Sequence, residues 1–534
     1  MLRDLISKGR ESMLGHVFVS NCDITKLACD SWLVPTNKDK VVLDHWINTP
    51  VKELGVGDGD FSKIAFPVNF GDECITAIPK DWPDSAEYPM PVFTITASDE
   101  YQEIDWYSNS VTQFVEEYLK TSKRYLSFRV RPLLAIPLVG TGSGGAVDRV
   151  ASIIKAILIC TQGLVIKYDV DIVITTLNSF HYGVCQMERK RLDKEFNYWP
   201  ELTGDQRASG KKIAEYANEG KLVLFLGAGV SAGAGLPSWG QLLDHLSNQA
   251  NMSDDQKKAL SQFNFLDQAE ILKKELKKLG IDMNREIAAL LSSKDIYSLA
   301  HTLISDWPVN EAVTQNYDDM FERACRDSEK PLSVIPYTFE NESPKWLLKM
   351  HGCVTAPEDI VLSRTDYLDY DYSKSALSGI VQALLVTKHM LFLGFSLTDD
   401  HFIQLIFGVH KALSGMLANQ EGHKFGTVLS PVHSRFQEEL WTHELNFVNS
   451  DIKENDLLGA IGWHDSFLDY VTSLVYTSHN YLFHEEYESL LSEDEILLRD
   501  TLGEAYNKVK SHGSSEMVKE FEEYLSSLGH QCGK

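Results

Sequence analysis

Four short segments of this chain carry residues whose types and spacing could do chemistry. Each follows an apolar run, and they read LGAGVS (226–231), TQNYD (314–318), MHG (350–352) and LGFSLTD (393–399). In the first, Gly227 and Gly229 lack a Cβ and let the backbone approach a ligand closely. The helix start that follows offers N–H groups to an anion. This segment predicts a loop that holds a diphosphate, and the alternative is a tight strand-to-helix turn in which the glycines serve packing alone.

The other three segments supply polar side chains suited to bond breaking. Asn316 can donate and accept hydrogen bonds without a charge to desolvate, and His351 has the side chain best suited to act as a base near neutral pH. Each has a structural alternative. Asn316 and Asp318 could cap a helix that begins at Tyr317. His351 could be a hydrogen-bonded core residue, and the LGFS segment could be a plain turn after a strand.

A sheet whose strands end beside one another is needed to position these side chains. After the apolar run from Leu222 to Gly227, strand candidates follow at EAVTQNYD, WLLKMHG, HMLFLGFS and KFGTVLSP. The stretch from Met252 to Ser305 has a helical composition and no strand pattern. Ligands of a doubly wound parallel sheet bind at the carboxyl ends of its strands. The four segments are therefore expected to meet at one edge of such a sheet.

An earlier part of the chain has its own alternation of strands and helices. Apolar strand candidates read HVFVSNCDI, SWLVPT, PVFTITA, PLLAIPLV and VDIVITTL. Between the last two, VDRVASIIKAILICTQ places its apolar residues at helical spacing, which predicts a parallel α/β unit. A glycine run, IPLVGTGSGGA (136–146), predicts a second loop whose N–H groups face a phosphate.

These patterns divide the chain into four parts. They are an α/β domain at 1–185, a polar connector at 186–215, a second α/β domain at 216–477 with a helical insert at 252–305, and an acidic helical extension at 478–534. In the extension, an apolar stripe predicts packing on the body or on another subunit. The stripe consists of Val518, Phe521, Tyr524 and Leu525.

Composition narrows the class of protein. The chain has 534 residues, of which 43% are hydrophobic. Because no run approaches the roughly 20 apolar residues of a membrane helix, we expect a soluble, cytoplasmic protein without a membrane span. The formal net charge of −26 disfavours direct binding to nucleic acid. The eight cysteines form no C-x-x-C pair, which argues against a zinc ribbon and a disulfide framework, so we expect no metal.

In this order, the four segments resemble the sirtuin family. The resemblance implies a Rossmann-type parallel sheet that binds NAD+. It implies a binding set of Gly227, Ala228, Gly229 and Ser231 at the diphosphate, Asp318 at the nicotinamide carboxamide, and Gly394 and Ser396 at the adenosine half, with Asp399 in the same loop. It also implies a catalytic pair. Asn316 would hydrogen-bond the nicotinamide ribose and help to place an attacking oxygen, and His351 would be the general base.

The chain departs from sirtuin deacylases in two places. It lacks the two C-x-x-C pairs of their zinc module, and Leu-Pro-Ser-Trp (236–239) follows the glycine loop where deacylases usually carry a Pro-Asp-Phe-Arg type segment. With these departures it is similar to the zinc-free sirtuin-like NAD+ hydrolases of bacterial antiphage defence, which deplete NAD+ in the infected cell. The resemblance implies hydrolysis of the nicotinamide–ribose bond. Because the leaving group is neutral, that reaction needs oriented contacts and a base more than a strong acid.

The first domain has a fainter resemblance, to macro domains, which are three-layer α/β folds. NCDITKLACDSWLVPTN (21–37) is similar to the macro-domain opening, and IPLVGTGSGGA (136–146) is similar to its phosphate loop. The resemblance implies an ADP-ribose-type ligand held by Asp23, Ile24, Asn37, Gly140, Gly142, Ser143, Gly144 and Gly145. The sequence after Asn37 is KDKVVLDHW instead of a glycine-rich catalytic loop, so we expect binding without hydrolysis. The alternative is a macro-like scaffold that binds nothing, with Asp23 as a turn residue.

The combined expectation is an NAD+ hydrolase that an ADP-ribose-type ligand, or assembly through the first domain, regulates. A homo-oligomer is expected, and a phage or defence-system protein is a further candidate partner. Three alternatives stay open: a non-catalytic sensor or scaffold for NAD+ or ADP-ribose, an ADP-ribosyltransferase, and a deacylase. The pair Asn316 and His351 distinguishes the enzymes from the sensor, because a sensor needs no base beside the ribose.

Overall fold

The chain forms two compact units in a computed structural model. The structure describes residues 15–46, 64–71, 75–80, 82, 88–97, 102–121, 124–125, 129–141, 149–293, 295–340, 343–417, 424–432, 434–450, 457–476, 479–510 and 515–530. The first unit comprises Met1–Thr203 and Tyr476–Lys534, and the second comprises Gly204–Val475. The boundary at 203 and 204 falls inside the stretch expected to be a connector. Much of that stretch is helical, and the C-terminal extension groups with the first unit.

A six-stranded sheet forms the centre of the first unit. Its strands are β1 (Val17–Asn21), β2 (Ser31–Thr36), β3 (Thr76–Ala77), β4 (Met90–Ile95), β5 (Leu133–Pro137) and β6 (Asp171–Thr176). Their order in the sheet is β1-β6-β5-β2-β4-β3. All neighbouring pairs are parallel except β3 with β4. The five strands expected from sequence are confirmed, and the short β3 was not expected.

The described part of the first unit also contains helices. They are Ile104–Leu119, Val150–Tyr168, Ser179–Phe196, Glu493–Val509 and Glu516–Ser527, with short 3-10 turns at Ile24–Lys26, Asp44–Trp46 and Glu485–Leu490. Val150–Tyr168 is also the one described helix whose length and apolar composition would suit a membrane span. Its positions Ile153, Ile154, Ile157 and Leu158 are fully buried within the unit. Burial of that stripe is what a core helix of an α/β unit requires.

The second unit is built on seven parallel strands. They are β7 (Leu222–Leu226), β8 (Glu311–Thr314), β9 (Ser333–Ile335), β10 (Trp346–Lys349), β11 (His389–Leu393), β12 (Gly426–Ser430) and β13 (Leu445–Asn449). Their order is β13-β12-β11-β7-β8-β10-β9. The chain starts at the centre with β7, builds one half outward through β8, and returns to build the other half from β11. This is a doubly wound arrangement with its switch point at β7 and β11, where ligand sites of such sheets lie.

The described helices of the second unit precede, connect or follow these strands. They are Gly204–Asn218, Ala228–Ala232, Trp239–Gln249, Asp254–Leu260, Phe265–Lys278, Met283–Leu291, Leu299–Ser305, Met320–Asp327, Arg364–Ser373, Ser375–Thr387, Asp400–Leu417, Arg435–Leu440 and Leu457–Val475, with a 3-10 turn at Pro357–Asp359. The stretch expected to be a helical insert, 252–305, contains four of these helices, from Asp254–Leu260 to Leu299–Ser305. Its apolar residues share one core cluster with Tyr317, Cys353 and Ile360. The insert therefore supports the loops that follow β8 and β10.

Candidate active site

The loops after β7 and β11 lie directly against each other at the switch point. Gly227 N–H donates to Leu393 O and Gly229 N–H donates to Gly394 O, each at 2.9 Å. A Cβ on Gly227 would lie 2.4 Å from Gly394 O, and one on Gly394 would lie 2.4 Å from Val230 N. Gly394 also has a positive φ of 60°, which side chains with a Cβ rarely adopt. The glycines thus allow two backbones to touch, and the amides of Gly227 and Gly229 serve this contact.

The exposed surface of this loop pair is formed by other members of the expected binding set. Ala228 and Gly229 are exposed at the start of the helix Ala228–Ala232. Ser396 is exposed on the β11 loop, where its hydroxyl is 2.7 Å from the Thr398 hydroxyl. Gln437 donates to the Ser396 carbonyl at 2.7 Å. The structure therefore places the expected diphosphate and adenosine residues on adjoining loops, while their contacts with a ligand stay predictions.

Asn316 is fixed by its amide nitrogen. It follows β8, and its Nδ2 donates to Gly227 O at 3.0 Å and to Ser231 Oγ at 3.2 Å. The Ser231 hydroxyl donates to Asp318 Oδ2 at 2.9 Å. Among the described residues, none donates a hydrogen bond to Asn316 Oδ1. This oxygen is therefore oriented by the scaffold and retains its acceptor capacity.

Asp318 has a structural role in this network. Besides the Ser231 hydroxyl, it accepts the Met320 N–H at 3.2 Å, next to the start of the helix Met320–Asp327. The helix begins at Met320 and not at Tyr317. The capping alternative therefore holds for Asp318, but at a later helix start than expected. Its proposed place near a nicotinamide carboxamide stays a prediction.

A buried ion pair supports the loop that follows β8. Lys349, at the end of β10, is fully buried and lies 2.7 Å from Glu322. Its Nζ also donates to the main-chain carbonyl of Asp318. Burial opposes the charge of Lys349, but the Glu322 carboxylate raises the lysine pKa above its usual value. The Glu322 carboxylate fixes the position of Lys349. Lys349 in turn fixes the backbone between Asn316 and the helix Met320–Asp327.

His351 lies two residues beyond β10 and is 2% exposed. Burial lowers its pKa from 6.5 to about 4, against the opposing charge of Asp399. Its ring packs edge-on to Tyr367 and Tyr370, with centroids 5.4 and 5.8 Å away. Nε2 lies 3.4 Å from His401 Nδ1. The side chain is therefore neutral at physiological pH, which is the form that a general base needs.

Asp399 connects three separate elements around His351. Oδ1 accepts from Gln315 Nε2 at 2.7 Å and from Phe402 N–H at 2.9 Å, and Oδ2 accepts the Tyr367 hydroxyl at 2.8 Å. Burial alone would raise the pKa of Asp399, but His351 and these donors lower it below its usual value. The carboxylate is therefore ionised, and it ties the loops after β8 and β11 to the helix Arg364–Ser373.

The donor atoms of His351, Asp399 and His401 lie within 4.8 Å of one another, which is close enough for the three side chains to share a metal ion. The hydrogen bonds do not suit an ion. Both Asp399 oxygens already accept protein donors, and His401 Nε2 faces the Tyr367 carbonyl at 3.2 Å. Within the described part of the chain, this cluster is therefore better explained as a hydrogen-bond network than as a metal site.

Comparison with known proteins agrees with this geometry. Residues 310–448 match the family model of the SIR2-like domain. That range contains Asn316, His351 and Gly394. Residues 310–448 are thus similar to the SIR2-like domain. The glycine loop after β7 precedes the matched range, and β7 lies between β11 and β8 in the same sheet.

The similar curated proteins include a defense-associated sirtuin and two NAD(+) hydrolases. The chain is 27% identical over 214 residues to the defense-associated sirtuin 2 of Bacillus subtilis, which covers 38% of this chain and 20% of that protein. It is 28% identical over 225 residues to the NAD(+) hydrolase ThsA of Enterococcus faecium, with 41% and 45% covered. For ThsA of Bacillus cereus (strain MSX-D12) the values are 26% over 208 residues, with 38% and 42% covered. Each relative is thus matched over less than half of its length.

The first unit contains a cavity of 1010 Å³. Its lining comes from the carboxyl ends of β1, β2, β4, β5 and β6 and includes Asp23, Ile24, Asn37 and Gly140. Gly140 has a φ of +81°, and a Cβ there would lie 2.5 Å from the Tyr107 ring. The structure thus brings four of the expected ligand residues together. The expected Gly142, Ser143, Gly144 and Gly145 lie outside the described residues.

Two of these residues also stabilise turns. Asp23 Oδ1 accepts the Thr25 N–H at 2.9 Å and the Thr25 hydroxyl at 2.7 Å, which caps the 3-10 turn Ile24–Lys26. Asn37 Oδ1 accepts the Val41 N–H at 2.9 Å. The turn alternative therefore holds for Asp23 as a structural role, and a ligand role for either side chain stays a prediction.

Several residues of the candidate site were not expected from sequence. They are Gln315, Lys349, Tyr367 and His401. Lys349 carried one signal, a lysine directly after an apolar strand run. Tyr367 and His401 carried none, because they lie in helices and reach His351 only through the fold.

Proposed function

We propose that the second unit hydrolyses NAD+ at the nicotinamide–ribose bond. The observation that carries the proposal is the placement of Asn316 and neutral His351 after adjacent strands of a doubly wound sheet. Among the described residues, no hydrogen bond reaches Asn316 Oδ1 or His351 Nδ1, so each side chain retains a polar atom for substrate. The names of the ThsA relatives, which are NAD(+) hydrolases, support the same reaction.

The proposed reaction balances with water as the acceptor. The bond between ribose C1 and the nicotinamide nitrogen breaks, and its electron pair leaves with nicotinamide, which departs neutral. The water oxygen forms a bond to C1, and His351 takes the proton that this water loses. Asn316 holds the ribose and places the water. The products are nicotinamide, ADP-ribose and one proton that passes to solvent.

The proposed substrate site uses the loops at the switch point. The diphosphate lies over Gly227, Ala228, Gly229 and Ser231, the carboxamide near Asp318, and the adenosine half along Gly394 and Ser396. Because the amides of Gly227 and Gly229 are used between the loops, the exposed surface at Ala228 contributes the remaining main-chain contact. The Ser231–Asp318 hydrogen bond orients Asn316 in the same arrangement.

Mass spectrometry of the products formed from NAD+ tests this function. We expect nicotinamide and free ADP-ribose, and a loss of at least about a hundredfold in rate for His351→Ala or Asn316→Ala. His389→Ala and Asn446→Ala are matched controls, because both residues lie in the same sheet away from the site. ADP-ribose retained on protein would assign transfer instead. Binding without release of nicotinamide from any preparation would assign a sensor.

We further propose that the cavity of the first unit binds an ADP-ribose-type ligand that regulates hydrolysis, directly or through self-assembly. Its volume is at the upper end for small-molecule sites. Its lining at the carboxyl ends of parallel strands supports the proposal. Calorimetry with ADP-ribose should show saturable binding that Gly140→Val weakens, because the new side chain would meet the Tyr107 ring. Unchanged binding in that variant would contradict the assignment to this cavity.

The proposed biological role is defence against phage in the cytoplasm through depletion of NAD+. The name of the Bacillus subtilis relative supports it. Cells that express the chain should lose NAD+ after infection and protect the surrounding culture, whereas cells with His351→Ala should not. NAD+ loss without protection would separate the enzyme from this role.

A further inference from the structure

The position of His401 beside His351 carries an inference about which nitrogen of the catalytic base is free. His401 lies at the start of the helix Asp400–Leu417 and is 6% exposed. Its ring stacks on Tyr367 and Tyr370, with centroid distances of 4.3 and 4.2 Å. The two tyrosine rings fix the plane of the imidazole, so both of its nitrogens have defined directions.

The hydrogen bonds of His401 determine its tautomer. Nε2 lies 3.2 Å from the main-chain carbonyl of Tyr367. A carbonyl oxygen can only accept, so a neutral His401 must carry its proton on Nε2. Nδ1 of the same ring is then an acceptor. It lies 3.4 Å from His351 Nε2, which must donate in this contact.

We propose that His401 is a positioning residue that holds His351 in its Nε2–H tautomer and thereby leaves Nδ1 of His351 as the basic nitrogen. The inference deepens the proposed hydrolysis and rests on it for its catalytic consequence. A histidine base is productive only when the unprotonated nitrogen faces the proton that it takes. The two hydrogen bonds that link His351 through His401 to the Tyr367 carbonyl thus select which nitrogen of His351 is reactive.

Two amide variants separate the contacts of His401. In His401→Asn, the side-chain oxygen takes the place of Nδ1 and can still accept from His351. In His401→Gln, the longer side chain reaches the place of Nε2 and can donate to Tyr367 O, but it offers no acceptor at Nδ1. Both variants lose the aromatic stack equally, so a purely structural role of His401 predicts equal effects.

Activity and nitrogen spectroscopy provide independent measurements. We expect kcat of His401→Asn to stay within about threefold of the natural protein, and kcat of His401→Gln to fall by about tenfold to a hundredfold with KM changed less than about threefold. In protein labelled with ¹⁵N-histidine, His351 should show a protonated Nε2, with its signals assigned from their loss in His351→Gln. His401→Asn should keep this tautomer, and His401→Gln should give a mixture.

The controls are His389→Asn and His389→Gln. His389 is another buried, stacked histidine of the same sheet, at the opposite end of β11. Neither change should alter kcat or the His351 signals. A protonated Nδ1 on His351, or equal losses of kcat in the two His401 variants, would overturn the inference. A protein with the expected tautomers but no release of nicotinamide would instead overturn the proposed hydrolysis.

Discussion

Replacing Gly394 by alanine tests the contact between the two loops at the switch point. The new Cβ would lie 2.4 Å from Val230 N and 2.7 Å from the carbonyl carbon of Gly229. These neighbours are main-chain atoms of a short helix and cannot rotate aside. The residue also has a φ of +60°, so the alanine would be strained even with space around it.

The size of the effect follows from these two terms. A left-handed backbone costs an L-residue about 1–2 kcal/mol. Overpacking against surroundings that cannot relax costs about 1–3 kcal/mol. Gly394→Ala should therefore destabilise the loop pair by about 2–5 kcal/mol. The same loops carry the proposed substrate site, so the release of nicotinamide should fall as well.

Gly379→Ala is the matched control in the same unit. Gly379 lies in the helix Ser375–Thr387, is exposed, and has nothing within 4 Å of a Cβ. Alanine is favoured over glycine in a helix by about 0.8–1 kcal/mol, so this variant should be slightly more stable than the natural protein. The same chemical change should thus have opposite signs at the two positions.

Hydrogen–deuterium exchange by mass spectrometry measures the effect at peptide resolution. Peptides that cover β7 to Ala232 and β11 to Ser396 should exchange about 30-fold to several thousandfold faster in Gly394→Ala, since 1.4 kcal/mol is tenfold. Peptides of the first unit serve as internal references. If exchange in the two loops is unchanged or slower in Gly394→Ala, the close contact of the loops is refuted.

The remaining predictions concern charges around the site. The value of kcat/KM should stay constant down to about pH 5 and fall near pH 4, because burial lowers the pKa of His351 to about 4; a fall centred at 6.5 would contradict this. In the unfolded chain, this histidine takes up a proton as the pH falls below its ordinary pKa of 6.5. As the pH falls from 6.5 to about 4, the free energy of unfolding of the natural protein should therefore decrease, and it should decrease less in His351→Gln. Asp399→Asn should lower kcat and move the acid fall of kcat/KM to still lower pH, since the Asp399 charge raises the pKa of His351. In urea unfolding, Lys349→Met should cost about 3–5 kcal/mol because Glu322 is left buried and unpaired, and adding Glu322→Leu should recover part of this loss. A chelator such as EDTA should leave nicotinamide release unchanged, because both Asp399 oxygens already accept protein donors.

The strands of both sheets could be predicted from sequence because most are continuous apolar runs. The pattern was clearest for β7 and β11, where all five residues are buried. It failed for β13, whose sequence LNFVN has exposed and half-buried positions at an outer place in the sheet. It also failed for β3 and β9, which span only two and three residues.

The spatial grouping of the candidate site residues was predictable where one strand end supplies one residue. Gly227, Asn316, His351 and Gly394 each follow a strand, and parallel topology brings strand ends together. The contacts between these segments were not predictable. The amide of Gly227 donates to Leu393 O because two loops meet, and no local sequence feature encodes that pairing.

The hydrogen bonds divide the site residues into two groups with different consequences for mutation. Ser231, Asp318 and Asp399 have their side-chain oxygens bonded within the protein. Changes to this group should therefore affect both geometry and stability. Asn316 and His351 are each held through one nitrogen, whereas Oδ1 and Nδ1 receive no bond from a described residue. A change at either of these two atoms removes little internal bonding, so it should reduce catalysis far more than folding.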